Sequence, residues 1–192
     1  MPGTGPERRR FPPVARQSPG PPRTHRTSGR GAPWRGLAQR RCNCWNAQLG
    51  YPPDYGIRDI DIVYFDSTNL TAAAEQAESL HIRSLFANPS VTFDVKNEAR
   101  VHLWYEAKFG YAIEPYRSTE AAIATFPTTA AAIGVRVAGG RFEVSAPFGL
   151  AELNNLIVRP NKAQITAEIY QAKVARWRAL WPDLDIRPWD EG

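Results

Sequence analysis

The chain has 192 residues, 43% of them hydrophobic and only two of them cysteines, so it is sized for one domain with appendages and carries enough apolar residues for a core. No apolar run approaches the roughly 18 residues of a transmembrane helix, and no apolar stretch follows the N-terminal arginines as it would in a secretory signal. The net charge of +5 conceals two opposite parts: residues 1–41 hold ten arginines and one acid, Glu7, which leaves 14 basic against 18 acidic groups in the remainder. The charge of a mildly acidic folded part does not argue for nucleic-acid binding.

Residues 1–33 contain eight prolines with Gly, Arg, Ser and Thr, and almost no aliphatic periodicity. Such a stretch buries too little to offset its ordering entropy and is expected to be a disordered tail. Contact with nucleic acid through it is possible but not favoured. A lysine-free Arg, Pro and Gly tail is also what a GC-rich gene yields when read from a wrong start or frame. The domain is expected at 34–187, with 188–192 as a short C-terminal tail.

Arg35 to Leu49 is weakly helical and is broken by Pro52-Pro53. Ile57 to Phe65 alternates and is rich in β-branched and aromatic residues, so it reads as a strand carrying Asp59 and Asp61. Leu70 to Phe86 reads as a helix with Leu80 and Leu85 among its core positions. After the turn Asn88-Pro89-Ser90, Val91 to Lys96 is a second strand and Asn97 to Lys108 a helix. Ser118 caps a short helix that ends before Pro127. Ile133–Val137 and Arg141–Ser145 form a hairpin over Gly139-Gly140. Pro147–Leu156 reads as a short helix, and a further short strand ends at Pro160. Lys162–Trp181 is the longest helical stretch, with Ile165, Ile169, Ala172, Val174, Trp177 and Trp181 facing inward. The expected class is α/β (α+β): a small mixed sheet with flanking helices.

Residues two apart on a strand share a face, so Asp59 and Asp61 lie about 6.6 Å apart at the backbone with converging carboxylates. Two such carboxylates repel one another unless a cation stands between them. Mg²⁺ or Mn²⁺ bound by a few carboxylates and completed by phosphate oxygens and water suits phosphoryl or nucleotidyl transfer. Asp94, set between apolar residues of the second strand, is the candidate third ligand. A solvated strand face produces the same alternation, and the residues alone leave both readings open.

Ile57-Arg58-Asp59-Ile60-Asp61-Ile62-Val63-Tyr64-Phe65-Asp66 resembles the Asp-hydrophobic-Asp strand of the polymerase-β-like nucleotidyltransferase superfamily. More narrowly, the chain is similar to a bacterial nucleotidyltransferase-like family within it. The matches are Arg41, Trp45, Gly50 and Tyr51, then Val95-Lys96-Asn97-Glu98-Ala99-Arg100, Pro115-Tyr116-Arg117-Ser118-Thr119, Gly134-Val135-Arg136, Pro147-Phe148-Gly149-Leu150 and Trp181-Pro182. They span about residues 41–187.

The resemblance implies a nucleotidyltransferase-like fold, an NTP substrate with an unidentified acceptor, and catalytic metal-binding carboxylates at Asp59, Asp61 and Asp94. It also implies nucleotide-binding positions at Gly36, Arg41, Lys96, Asn97 and Arg100. The last three could instead cap and solvate the following helix. The compartment is expected to be the cytoplasm, with no membrane partner.

The pattern departs from the family ahead of the strand. The superfamily places a glycine-rich turn there for close approach to phosphates. Here Gly36-Leu37-Ala38-Gln39-Arg40-Arg41 keeps one glycine, Cys42 replaces an Asn, and Asn46 stands where the family has an acid. The alternative function is therefore a catalytically impaired descendant acting as a binding or interaction module.

Overall fold

The computed structural model describes residues 35–36, 38–85 and 92–191, so the expectations for residues 1–33 and for the turn at 88–90 lie outside the described residues. In chain order the elements are β1 (Arg35–Gly36), α1 (Ala38–Leu49), β2 (Asp59–Tyr64), α2 (Ala72–Ser84) and β3 (Thr92–Asn97). Then come α3 (His102–Phe109), α4 (Thr119–Ile123), β4 (Gly134–Ala138), β5 (Arg141–Ser145) and α5 (Ala151–Asn154). The last are β6 (Ile157–Val158), α6 (Ala167–Leu180) and β7 (Asp185–Ile186). The fold is mixed α/β. Its described strands form three small ladders, ordered β1-β4-β5 (antiparallel), β2-β3 (parallel) and β6-β7 (parallel). β1 also lies close alongside β2, which brings the first two ladders together.

β2, α2 and β3 make one βαβ unit. Thr71 caps α2 by accepting from the Ala74 amide at 3.2 Å. Ile82 of α2 packs on Ile62, Phe93 and Val95, which share one face of the two strands. Leu80 and Leu85, expected in the core, are instead 57% and 60% exposed. Ser79 and Ile82, three residues apart, set the inward face. A helix turns about 100° per residue, so Leu80 points away from it. The expected helix from Asn97 also begins later. Asn97 ends β3 and caps a 3-10 turn, Glu98–Arg100, before α3 starts.

The larger core lies between α1, α6 and the chain around β4, β6 and β7. On α6 the buried residues are Tyr170, Val174 and Trp177. Trp181 continues that stripe, while Ala172, expected inward, is exposed on the other side. The Tyr170 hydroxyl sits between the carbonyls of Val158 (3.1 Å) and Arg187 (2.6 Å), tying α6 to β6 and to the end of β7. Beyond residue 187 a 3-10 turn, Trp189–Glu191, sets the Trp189 ring against Tyr170.

Trp45 of α1 packs edge-on against both Trp177 and Trp181, with ring centroids 5.4 Å away in each case. Its neighbour Asn46 is completely buried. The Asn46 amide donates to the carbonyls of Tyr55 (3.0 Å) and Pro53 (3.3 Å), and its oxygen accepts from the Trp181 indole N–H (2.7 Å). An Asp here would turn a second acceptor on two carbonyls. The departure from the family's acid thus matches its surroundings. Asn46→Asp is expected to cost about 2 kcal/mol, for a buried acceptor left unpaired. Thermal unfolding should show it as a drop of about 4–8 °C.

Gly56 has φ +69°, and a Cβ there would lie 2.7 Å from two Trp181 ring carbons. That ring is held by its bond to Asn46 and cannot withdraw. Gly56→Ala is expected to lose about 2 kcal/mol through left-handed strain and overpacking, measurable by urea denaturation.

Candidate functional site

The register of β2 and β3 builds the site. Asp61 stands opposite Asp94, Asp59 opposite Thr92 and Val63 opposite Lys96. Cross-strand partners in a parallel pair share a face, and neighbouring strands lie about 4.8 Å apart. Asp61 and Asp94 therefore stand side by side on one face, with Asp59 one step toward the strand's start. The same face is closed at its other end by Val63, which packs under Ile123 of α4 and Phe126.

Lys96 extends along this face and places its Nζ 2.9 Å from an Asp94 carboxylate oxygen. A further acid lies close by. Glu98, the first residue of the 3-10 turn, is 6% exposed. Burial pushes its carboxyl up to about 8, with the charges of Asp61, Glu75 and Asp94 adding to the rise and Lys96 opposing it. The cluster lowers its own repulsion by keeping Glu98 neutral. Sequence reading missed Glu98 as a site residue because it lies past the strand's end, where alternation no longer says which way a side chain faces.

The other expected binding residues fall elsewhere. Asn97 is 1% exposed and fully engaged. It donates to the Asp66 carbonyl (2.8 Å) and accepts from the amides of Asp66 (2.9 Å) and Ala99 (3.2 Å), while its own amide donates to Glu75 (2.8 Å). Arg100 pairs with Glu75 at 2.6 Å and donates to the Leu70 carbonyl at 3.2 Å. These two do not reach the acidic face. They tie the C-terminal ends of β2 and β3 to α2, in keeping with the capping alternative. Lys96 alone of the three sits with the carboxylates. Gly36 pairs with Gly134 in β1 beside β2. Arg41 lies on α1, and its side chain is outside the described residues.

Asp61 and Asp94 supply hard oxygen donors suited to Mg²⁺ or Mn²⁺. Among the described residues no three His, Cys, Asp or Glu side chains converge to hold an ion by themselves. A cation held by this pair would have to take the rest of its shell from phosphate oxygens and water. No helix of the described residues is long and apolar enough to cross a membrane.

Comparison with known proteins bears on the family and the fold. The family described as Nucleotidyltransferase matches residues 41–186. A solved structure, described as "The NMR structure of the protein reveals a CCA-adding enzyme head domain", shares the fold, with a TM-score of 0.66 at 23% identity. That match covers 81% of each chain. No curated protein matches the sequence. With three quarters of its length matched, the chain belongs to the nucleotidyltransferase family.

Proposed function

We propose that the protein is a metal-dependent nucleotidyltransferase that moves a nucleoside monophosphate from an NTP to an acceptor. The observation that carries this reading is the cross-strand pair Asp61 and Asp94 on one face, with Asp59 beside them. In the reaction an acceptor hydroxyl oxygen bonds to the α-phosphorus, and the bond from that phosphorus to the bridging oxygen of the β-phosphate breaks. The hydroxyl proton passes to solvent or a carboxylate, and pyrophosphate leaves with the bond's electron pair. Mg²⁺ or Mn²⁺, when bound, would neutralise phosphate charge and acidify the attacking hydroxyl.

Asp61 and Asp94 would hold the cation, with Asp59 completing the set at the strand's open end. Lys96 is positioned to leave Asp94 for phosphate oxygens, because the same ammonium serves either partner. The backbone at Gly36, alongside β2, is where phosphate would meet main-chain amides. Arg41, on the helix that follows, is a further candidate for phosphate charge. The two free cysteines fit a reducing, cytoplasmic setting.

Calorimetry with ATP, GTP, CTP and UTP should give binding that requires MgCl₂. Absence of any Mg²⁺-dependent heat would sink the proposal. A second reading, a catalytically impaired binding module, is favoured by Lys96 already pairing with Asp94 and by Ala38 and Cys42 in the phosphate-binding stretch. Pyrophosphate release from any NTP excludes it. RNA belongs among the acceptors tested, given what the solved relative is said to reveal.

A further inference from the structure

A cleft of about 550 Å³ opens on the outer side of α4, away from the acidic face. Ala121 of α4 and Thr125, just past its end, line it on one side, and the chain from Tyr111 to Arg117 and Ala163–Gln164 on the others. Its volume lies within the usual range for small-molecule sites, roughly 300–1,000 Å³. Ile123, on the opposite side of the same helix, packs on Val63 of the Asp strand. One short helix thus stands between the cleft and the carboxylates.

The cleft's polar groups are held in fixed orientations. Tyr116 hydrogen-bonds Thr125 Oγ1 (2.8 Å) and donates to Gln164 Oε1 (2.6 Å). Tyr111 donates to the Gln164 carbonyl (2.7 Å), with its oxygen 3.1 Å from the Tyr105 hydroxyl. Gln164 Oε1 is therefore satisfied, and the amide's N–H pair is the end left for a ligand. Burial raises the Tyr116 hydroxyl's pKa, while its bonds to Thr125 and Gln164 oppose the rise.

The rim carries charge of both signs. Arg117 has no salt bridge among the described residues, and Glu114 lies on the same segment. A single exposed cation suits a ligand with a single acidic group. The tyrosine rings and the apolar wall of Ile113 and Pro115 suit a flat ring.

We propose that this cleft seats a small molecule with a planar ring, an acceptor atom on the ring edge for Gln164 and one anionic group for Arg117.

The test uses the full chain in EDTA without NTP, so that it is separate from metal and triphosphate binding. The probes are adenosine 5′-monophosphate (ring and anion), adenosine (ring alone) and ribose 5-phosphate (anion alone), followed by calorimetry and saturation-transfer NMR. The monophosphate should bind at least tenfold tighter than either part. Ala121→Trp, on an exposed helix face, should fill the cleft and weaken that binding at least tenfold. Ala163→Trp should do the same from the opposite wall. Both variants should keep Mg²⁺-dependent NTP binding, which also reports that they fold. Arg117→Ala should reduce the monophosphate to the affinity of adenosine. No binding by the wild type, or binding unchanged in both tryptophan variants, overturns the proposal. If wild type binds the monophosphate in EDTA, but no NTP with Mg²⁺, the cleft stands and the transferase reading fails.

Discussion

Asp61→Asn is expected to reduce Mg²⁺-dependent NTP binding and transfer by roughly 10²–10³-fold, the cost of removing a charge-stabilising group from a preorganised site. The variant removes one of two facing carboxylates and changes little in volume. It should also raise stability when no metal is present. Asp61 is the foremost charge acting on Glu98, so neutralising it relieves a repulsion the empty site must carry. Loss of binding with a higher Tm in EDTA near pH 8 is the signature of a charge kept for function. A variant that lost binding and Tm together would point to a structural role. One that kept Mg²⁺-dependent binding would remove Asp61 from the metal site.

The second large effect is a stability that falls as pH rises. Glu98 binds its proton up to about 8 in the folded chain and up to 4.5 in the reference state. Between these values the folded state holds more protons than the unfolded one, so unfolding free energy declines with pH. Below about 4.5 the neutral carboxyl costs nothing further. Above about 8 the loss is complete, on the order of 5 kcal/mol for a shift of this size. Urea unfolding in EDTA from pH 5 to pH 8.5 should trace the decline. Glu98→Gln keeps the shape and abolishes the titration, so its curve should be flat across that window. Mg²⁺ with an NTP should shallow the wild-type slope, because a bound cation offsets the charges of Asp61 and Asp94. A wild-type slope matching that of Glu98→Gln would show that Glu98 is ionised in the fold.

Local pattern carried some of these features and not others. β2 was legible because alternation and β-branching are properties of consecutive residues. The hairpin was legible because Gly139-Gly140 supplies the backbone that a tight turn needs. That Asp61 faces Asp94 required the register of a parallel pair joined through α2, which no local pattern encodes. For Asn97 and Arg100, which follow Asp94 closely, the string leaves the ligand and helix-capping readings equally open. Their partners, Asp66, Leu70 and Glu75, lie 22–31 residues away and were invisible in the string. Leu80 and Leu85 were chosen for hydrophobicity, when the phase of the helix decided burial. The cleft went unread because its walls meet only after Gln164 folds back on Tyr111 and Tyr116.

The bond from the Trp181 indole to Asn46 joins residues 135 apart. As the chain leaves the ribosome, α1 is made well before the tryptophans that enclose Trp45, and the Asn46 side-chain oxygen lacks its Trp181 donor until then. The βαβ unit bearing the carboxylates can form from a local stretch, but the larger core waits until Trp177 and Trp181 have been made. Contacts of such long sequence separation slow folding, since the loop must close before they reward it. The nascent chain therefore presents its acidic face before it has a closed domain to support it. Chains interrupted before Trp181 would carry the strands of the site without the clasp that holds the two ends of the domain together.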